Sequence, residues 1–156
     1  MVLVLSNKAK PPWDNYFLNI ARAASIRSSC VRRNVGAVLV KGNRILSTGY
    51  NDSPSGGGNC FDGACPRGLM STDEVKPYSD YGKDSSGHCI STHAEVNCVH
   101  GFKDVAYSLG VSYDDLTSAL RSCTIYVTDK PCRDCSRFLG MAGFTSERII
   151  WPGSLS

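Results

Sequence analysis

The side chains in this sequence that could do chemistry fall in two places: His93, Ala94 and Glu95, then Pro131, Cys132, Arg133, Asp134 and Cys135. Positions three apart on a helix share a face, so Cys132 and Cys135 can both turn inward from the first turn of one helix. The positive end of that helix's dipole stabilises thiolates, the form that binds zinc. With His93 they make three protein ligands and leave the fourth tetrahedral position for water, which is how a catalytic zinc site differs from a closed structural one. Glu95 fits as a base and not as a ligand. Two residues along a regular helix turn by about 200°, so His93 and Glu95 serve one site only from an irregular first turn, with the carboxylate on the water. Zinc with two thiolates and a neutral imidazole is formally neutral and acidifies its water less than an all-histidine site, so a nearby base helps. Taken singly, these residues stay ambiguous. A lone Cys-x-x-Cys is also a redox pair, half of a structural zinc site, or chance, and an isolated glutamate is ordinarily a solvated helix carboxylate.

The elements that must position these groups are legible in outline. After Pro11 and Pro12, the residues Trp13, Tyr16, Phe17, Ile20, Ala21 and Ala24 recur at helical spacing and predict an amphipathic helix with its aromatics in the core. Residues 36–40 and 45–50 are β-rich and joined through Lys41, Gly42 and Asn43, which predicts an antiparallel hairpin. From Asn51 to Thr92 periodicity is lost, yet Cys60, Cys65, His88 and Cys89 lie there. A loop of that length is functional, disordered or pinned, and the cysteines suggest a pin. A helix begins at His93, a strand covers 124–128, a helix starts at Pro131 or Cys132, and a strand follows at 148–151. Strand, helix, strand implies a parallel crossover, so the class is α/β with a mixed sheet. The stretch 101–122 is ambiguous, with a short helix around 114–120.

With 156 residues and 42% hydrophobic composition, residues 1–156 suit a single domain that buries its own core. A net charge of +3 falls short of a dedicated nucleic-acid binder and suits a small anionic substrate. The apolar run Val2 to Leu5 is shorter than the ~7 to 15 residues of a signal-peptide core, and Lys8 and Lys10 follow it instead of preceding it. A cytoplasmic protein is expected, with no membrane span. In a reducing compartment the eight cysteines read better as metal ligands than as disulfides.

His93-Ala94-Glu95 with Pro131-Cys132-Arg133-Asp134-Cys135 resembles the H-x-E and P-C-x-x-C signature of zinc base deaminases. The resemblance is to the cytidine deaminase superfamily and, within it, the deoxycytidylate deaminase branch. It extends through Trp13-Asp14-Asn15-Tyr16-Phe17, Arg27-Ser28-Ser29-Cys30, Val35-Gly36-Ala37, Gly49-Tyr50-Asn51, Ser53-Pro54-Ser55-Gly56 and Thr124-Ile125-Tyr126-Val127-Thr128, about residues 13 to 151. The resemblance implies a three-layer α/β fold, a central mixed sheet with helices on both faces, and hydrolysis of dCMP to dUMP and ammonia, supplying dUMP for thymidylate synthesis. Glu95 would move the protons between water, ring nitrogen and leaving ammonia. By the same likeness the backbone at Ala94 holds the pyrimidine edge, Asn51 bonds the sugar hydroxyl, and Arg27 and Arg32 take the 5′-phosphate, with Arg33 as a spare. Arginine suits that role through its planar, bidentate fork, although an Arg-rich stretch after a helix is more often a solvated surface.

Cys30, Cys60, Cys65 and Cys89 resemble a set that holds a second, structural zinc in this branch, His88 being the alternative fourth ligand. A closed site of that kind would supply folding energy to the unpatterned loop. Otherwise they are free buried thiols, the reading that best fits Cys98 and Cys123. Gly56-Gly57-Gly58 resembles the region where some relatives bind regulatory dCTP or dTTP, but the carboxylate of Asp52 would oppose phosphate unless a metal ion or an arginine intervenes. Relatives form oligomers, often hexamers, which implies a homo-oligomer. They also continue past the equivalent of Trp151, so a sheet one strand shorter is expected. The rivals are a deaminase acting on dCTP, cytidine or tRNA adenosine, a non-catalytic zinc module that binds nucleic acid, and a Cys-x-x-Cys redox protein.

Overall fold

Strand β1 (Gly36–Lys41) is buried along all but its last residue, because Ala37, Val38, Leu39 and Val40 give both faces of the strand an apolar surface. A computed structural model describes residues 9–75 and 88–155; the run Val2 to Leu5 lies outside them. Around β1 the sheet is ordered β2-β1-β3-β4, with β2 (Arg44–Tyr50), β3 (Thr124–Val127) and β4 (Ile149–Ile150). β1 pairs antiparallel with both β2 and β3, and β3 pairs parallel with β4. The sheet is therefore mixed, as the sequence predicts. The hairpin closes through Gly42 and Asn43, both at positive φ (52° and 60°), the geometry of a two-residue turn whose twist matches the strands.

Period-2 alternation sorts the core into two layers. Val38, Val40 and Tyr126 face α1 (Trp13–Ser25) and bury Phe17, Leu18 and Ala21. Ala37, Leu39, Ile125 and Val127 face the other way, onto Cys98 and Val99 of α2 (Ala94–Ser108) and Leu139 of α4 (Arg133–Met141). The short helix α3 (Tyr113–Leu120) adds Leu120 to that second layer. Each fully buried Val, Leu, Ile or Phe among these contributes ~1.5–3 kcal/mol. The ambiguous stretch 101–122 resolves into the C-terminal half of α2 followed by α3. The crossover between β3 and β4 is α4, and it is this connection that brings Cys132 and Cys135 to the sheet.

Two close approaches fix α2 against the hairpin. A Cβ on Gly49 would run into Ala94 O and Cys98 N, so only glycine lets β2 lie this near the first turn of α2. The Asn97 amide then donates to Tyr50 O at 2.8 Å. Among the described residues, the loop after β2 carries two short 3₁₀ turns, Cys60–Asp62 and Pro66–Leu69. Among the described residues no helix is long and apolar enough to cross a membrane.

Candidate active site

Two helix N-termini meet behind the sheet. His93 is the N-cap of α2 and Cys132 the N-cap of α4, both with extended backbone, so their side chains leave the helices just where the dipoles are positive. His93 Nδ1 lies 3.2 Å from Cys135 Sγ and 3.5 Å from Cys132 Sγ. These three donor atoms all fall within 4.8 Å of one another, and among the described residues no other set of His, Cys, Asp and Glu side chains does so. A tetrahedral zinc with Zn–S of about 2.3 Å and Zn–N of about 2.0–2.1 Å would space nitrogen and sulfur about 3.5 Å apart. The donor set fits that ion in chemistry and spacing, and it leaves one vertex without a protein ligand.

The electrostatics point the same way. The hydrogen bond from Cys135 lowers the Cys132 thiol to about 4, against the effect of burial, with His93 and the Cys135 N–H assisting. Cys135 is pushed strongly up as the proton-bearing partner of that pair, and burial and Glu95 add to the rise. His93 is raised chiefly by its contact with the Cys132 sulfur. The proton that Cys135 holds against the Cys132 sulfur is one that a cation bound here would displace. Glu95 is only 3% exposed, and burial raises its carboxyl above the usual range, opposed by its own backbone N–H, His93 and Cys135. A carboxyl placed in this way is poised to gain and lose a proton.

All of this opens on a cavity of about 290 Å³ whose inner wall includes Val35, Asn51, His93, Ala94, Glu95 and Cys132. Ala94 is fully buried and stands at the first position of α2, where a backbone N–H has no partner within the helix. Asn51 lines the cavity, but its side chain is partly committed: Oδ1 accepts from Val35 N and Nδ2 donates to Arg33 O, both at 2.8 Å. It still has a second N–H to offer.

The arginines distribute differently from the sequence expectation. Arg27 is exposed and does not line the cavity. Arg32 does line it, but its guanidinium donates to the carbonyls of Arg67 (2.8 Å), Met70 and Ser71 (3.2 Å), anchoring the cysteine loop. Arg33 also lines the cavity and its Nε sits 3.8 Å from Asp129 Oδ2. Sequence reasoning missed Arg67, Asp129 and Lys130, which share the cavity wall. The only available signals were an arginine between cysteines in Cys65-Pro66-Arg67-Gly68, and two charged residues just before Pro131.

Cys30, Cys60, Cys65 and Cys89 line the far side of the same cavity. Burial pushes Cys60 up to about 11 and also raises Cys89. Burial would raise Cys65 too, but the N–H groups of Ile90 and Gly68 and the thiols of Cys60 and Cys89 bring it down overall. Their sulfurs interact, yet no three of them lie within 4.8 Å of one another, and His88 joins no such set. Cys98 and Cys123 are fully buried in the core layer.

Over residues 11–150 the sequence matches the cytidine and deoxycytidylate deaminase zinc-binding region. It is 40% identical over 144 residues to a deoxycytidylate deaminase of Mycobacterium phage D29, an alignment covering 92% of this chain and 97% of that one. A deoxycytidylate deaminase of Schizosaccharomyces pombe is 36% identical over 127 residues, 81% of this chain but 37% of the longer yeast protein. The crystal structure of a dCMP deaminase from cyanophage S-TIM5 with dCMP and dUMP superposes with a TM-score of 0.57 at 25% identity, covering 88% of this chain and 80% of that one.

Proposed function

The chain belongs to the cytidine and deoxycytidylate deaminase family, and on that premise we propose that it hydrolyses dCMP to dUMP and ammonia, supplying dUMP for thymidylate synthesis. One observation carries the reading: three zinc-type donors and a buried glutamate converge on a single cavity. When bound at His93, Cys132 and Cys135, zinc supplies the Lewis acidity that makes a water nucleophilic at neutral pH. Glu95 takes a proton from that water as its oxygen bonds to C4 of the ring. The same carboxyl passes that proton to ring N3, then takes the second proton from the new C4 hydroxyl and gives it to the amine, so that C4=O forms, the C4–N bond breaks and ammonia leaves. The free N–H at Ala94 orients the pyrimidine edge, and the remaining amide proton of Asn51 meets the sugar hydroxyl. For the 5′-phosphate we retain Arg32 and replace Arg27 by Arg33, because Arg33 lines the cavity and Arg27 does not.

We read the whole of residues 1–156 as one domain, supported by the family match over 11–150. A second, structural zinc on Cys30, Cys60, Cys65 and Cys89, with His88 as the alternative fourth ligand, is supported by their shared place on one cavity wall. Assembly into a homo-oligomer is supported by the exposed apolar side chains of Ile26, Phe61, Leu69 and Met141. Action in the cytoplasm is supported by the need to keep Cys132 and Cys135 as thiolates.

The experiment is ammonia release from dCMP, deoxycytidine, dCTP and a tRNA anticodon stem. The proposal expects dCMP to be turned over with the highest kcat/KM. Turnover of the RNA alone would overturn it.

A further inference from the structure

The carboxylate of Asp52, which the sequence marks as unfavourable beside a phosphate, is engaged elsewhere. Its Oδ1 accepts from the Ser29 hydroxyl and, at 2.9 Å, from Ser53 N–H. Its main chain forms an antiparallel bridge with Thr92: Asp52 N–H donates to Thr92 O at 3.1 Å and Thr92 N–H to Asp52 O at 2.8 Å. Thr92 directly precedes His93, the N-cap of α2. One residue back, the buried Ser28 hydroxyl donates to Asn51 O at 2.7 Å. Two adjacent serines beyond α1 thus hold Asn51 and Asp52, and Asp52 in turn holds Thr92.

Besides the bridge, Thr92 O accepts from Asn97 Nδ2 at a longer 3.4 Å, so the side-chain clamp on Asp52 reinforces a second tie that runs to α2. β2 ends at Tyr50 and the stretch 53–59 has no helix or strand, so the Asp52 backbone is held from one side through Asn51, which bonds Val35, Arg33 and Ser28, while Ser29 is the contact that ties the Asp52 side chain back to the end of α1. We infer that Asp52 is a positioning residue: braced by Ser29, it sets through Thr92 the place of His93, Ala94 and Glu95 against the cysteines of α4. A reacting group misplaced by about 1 Å can cost about 100-fold in rate, so the clamp acts on kcat more than on binding.

The inference rests on the deaminase reading for its kinetic test only. Asp52→Ala, Asp52→Asn, Ser29→Ala and the Ser29→Ala/Asp52→Ala double variant are compared with wild type in kcat and KM for dCMP, in Tm, and in the d–d bands of the cobalt-substituted His93/Cys132/Cys135 site. Asp52→Ala and Ser29→Ala each lower kcat by about tenfold or more at nearly constant KM. The double variant is no slower than the slower single one, and the cobalt bands of both singles shift. Asp52→Asn, whose amide oxygen still accepts from Ser29, keeps most of kcat and the wild-type bands. Losses that multiply in the double variant, or variants that change only Tm with wild-type kcat and cobalt bands, overturn the inference. If wild type turns over no dCMP, the functional reading fails, while the cobalt bands of Ser29→Ala and Asp52→Asn still decide the clamp.

Discussion

His93 Nδ1 lies 3.2 Å from Cys135 Sγ although the two residues are 42 positions apart, and the 3.5 Å to Cys132 Sγ completes the triangle. Neither helix alone could make this site. It exists because β3 and its crossover helix deliver two sulfurs to the point where α2 begins. On the zinc reading, removing any one of the three donors should remove the metal. His93→Ala, Cys132→Ser and Cys135→Ser are each expected to lose catalytic zinc by elemental analysis and to lose dCMP turnover. A variant that keeps full metal content and activity contradicts the ligand assignment.

Glu95 differs from the ligands in what its loss should do. Glu95→Gln keeps the shape of a side chain that is 3% exposed and removes its ability to take a proton. We expect kcat to fall by about 100- to 10,000-fold, the usual worth of a general base. Zinc content and Tm should stay at wild-type values. Loss of zinc in this variant would make Glu95 a ligand instead.

The two arginines of the 32–33 segment should separate in their effects. Arg32→Ala frees three loop carbonyls and is expected to destabilise the fold by about 1–3 kcal/mol. Arg33→Ala loses a half-exposed ion pair with Asp129 and is expected to change Tm less than Arg32→Ala does. It should raise KM for dCMP while leaving deoxycytidine turnover alone. Equal effects on both substrates would remove Arg33 from phosphate binding.

The cysteine wall makes a stoichiometric prediction. Wild type should carry about two zinc ions per chain, and Cys65→Ser about one, with a lower Tm, since structural zinc contributes folding energy. About one zinc in fully active wild type would dismiss the structural site.

Tyr126 offers a pH-dependent check on the fold. Its hydroxyl donates to Asp14 Oδ1 at 2.8 Å, tying α1 to β3. Burial and then that carboxylate raise its ionisation above the ordinary value of about 10. The neutral form is the one stabilised, so its contribution is full below about pH 10 and is lost as the pH rises beyond it. The stability gap between wild type and Tyr126→Phe, measured by denaturant titration, should shrink above about pH 10. A gap that widens there contradicts the assignment.

The parts legible in sequence were those fixed by short-range spacing. His93, Glu95, Cys132 and Cys135 declare themselves because the two helix starts each carry their groups within one turn, and α1, the hairpin and the crossover follow from period alone. The long loop was not legible in this way. Nothing in its composition says that Arg32 would turn its fork to the carbonyls of Arg67, Met70 and Ser71, or that Asp52 would turn to Ser29. Such contacts join residues far apart in the chain through backbone acceptors, which every residue possesses and no motif marks. Arg27 and Arg33 illustrate the same limit, since which of two neighbouring arginines reaches a cavity depends on backbone direction in a loop.

The most direct measurement is the product balance for zinc-loaded protein given dCMP in ¹⁸O-enriched water. Release of ammonia and dUMP in equal amounts, with the label at O4 of the uracil, is the predicted result. Protein that has zinc on His93, Cys132 and Cys135, binds dCMP, and yet releases neither product would contradict the account.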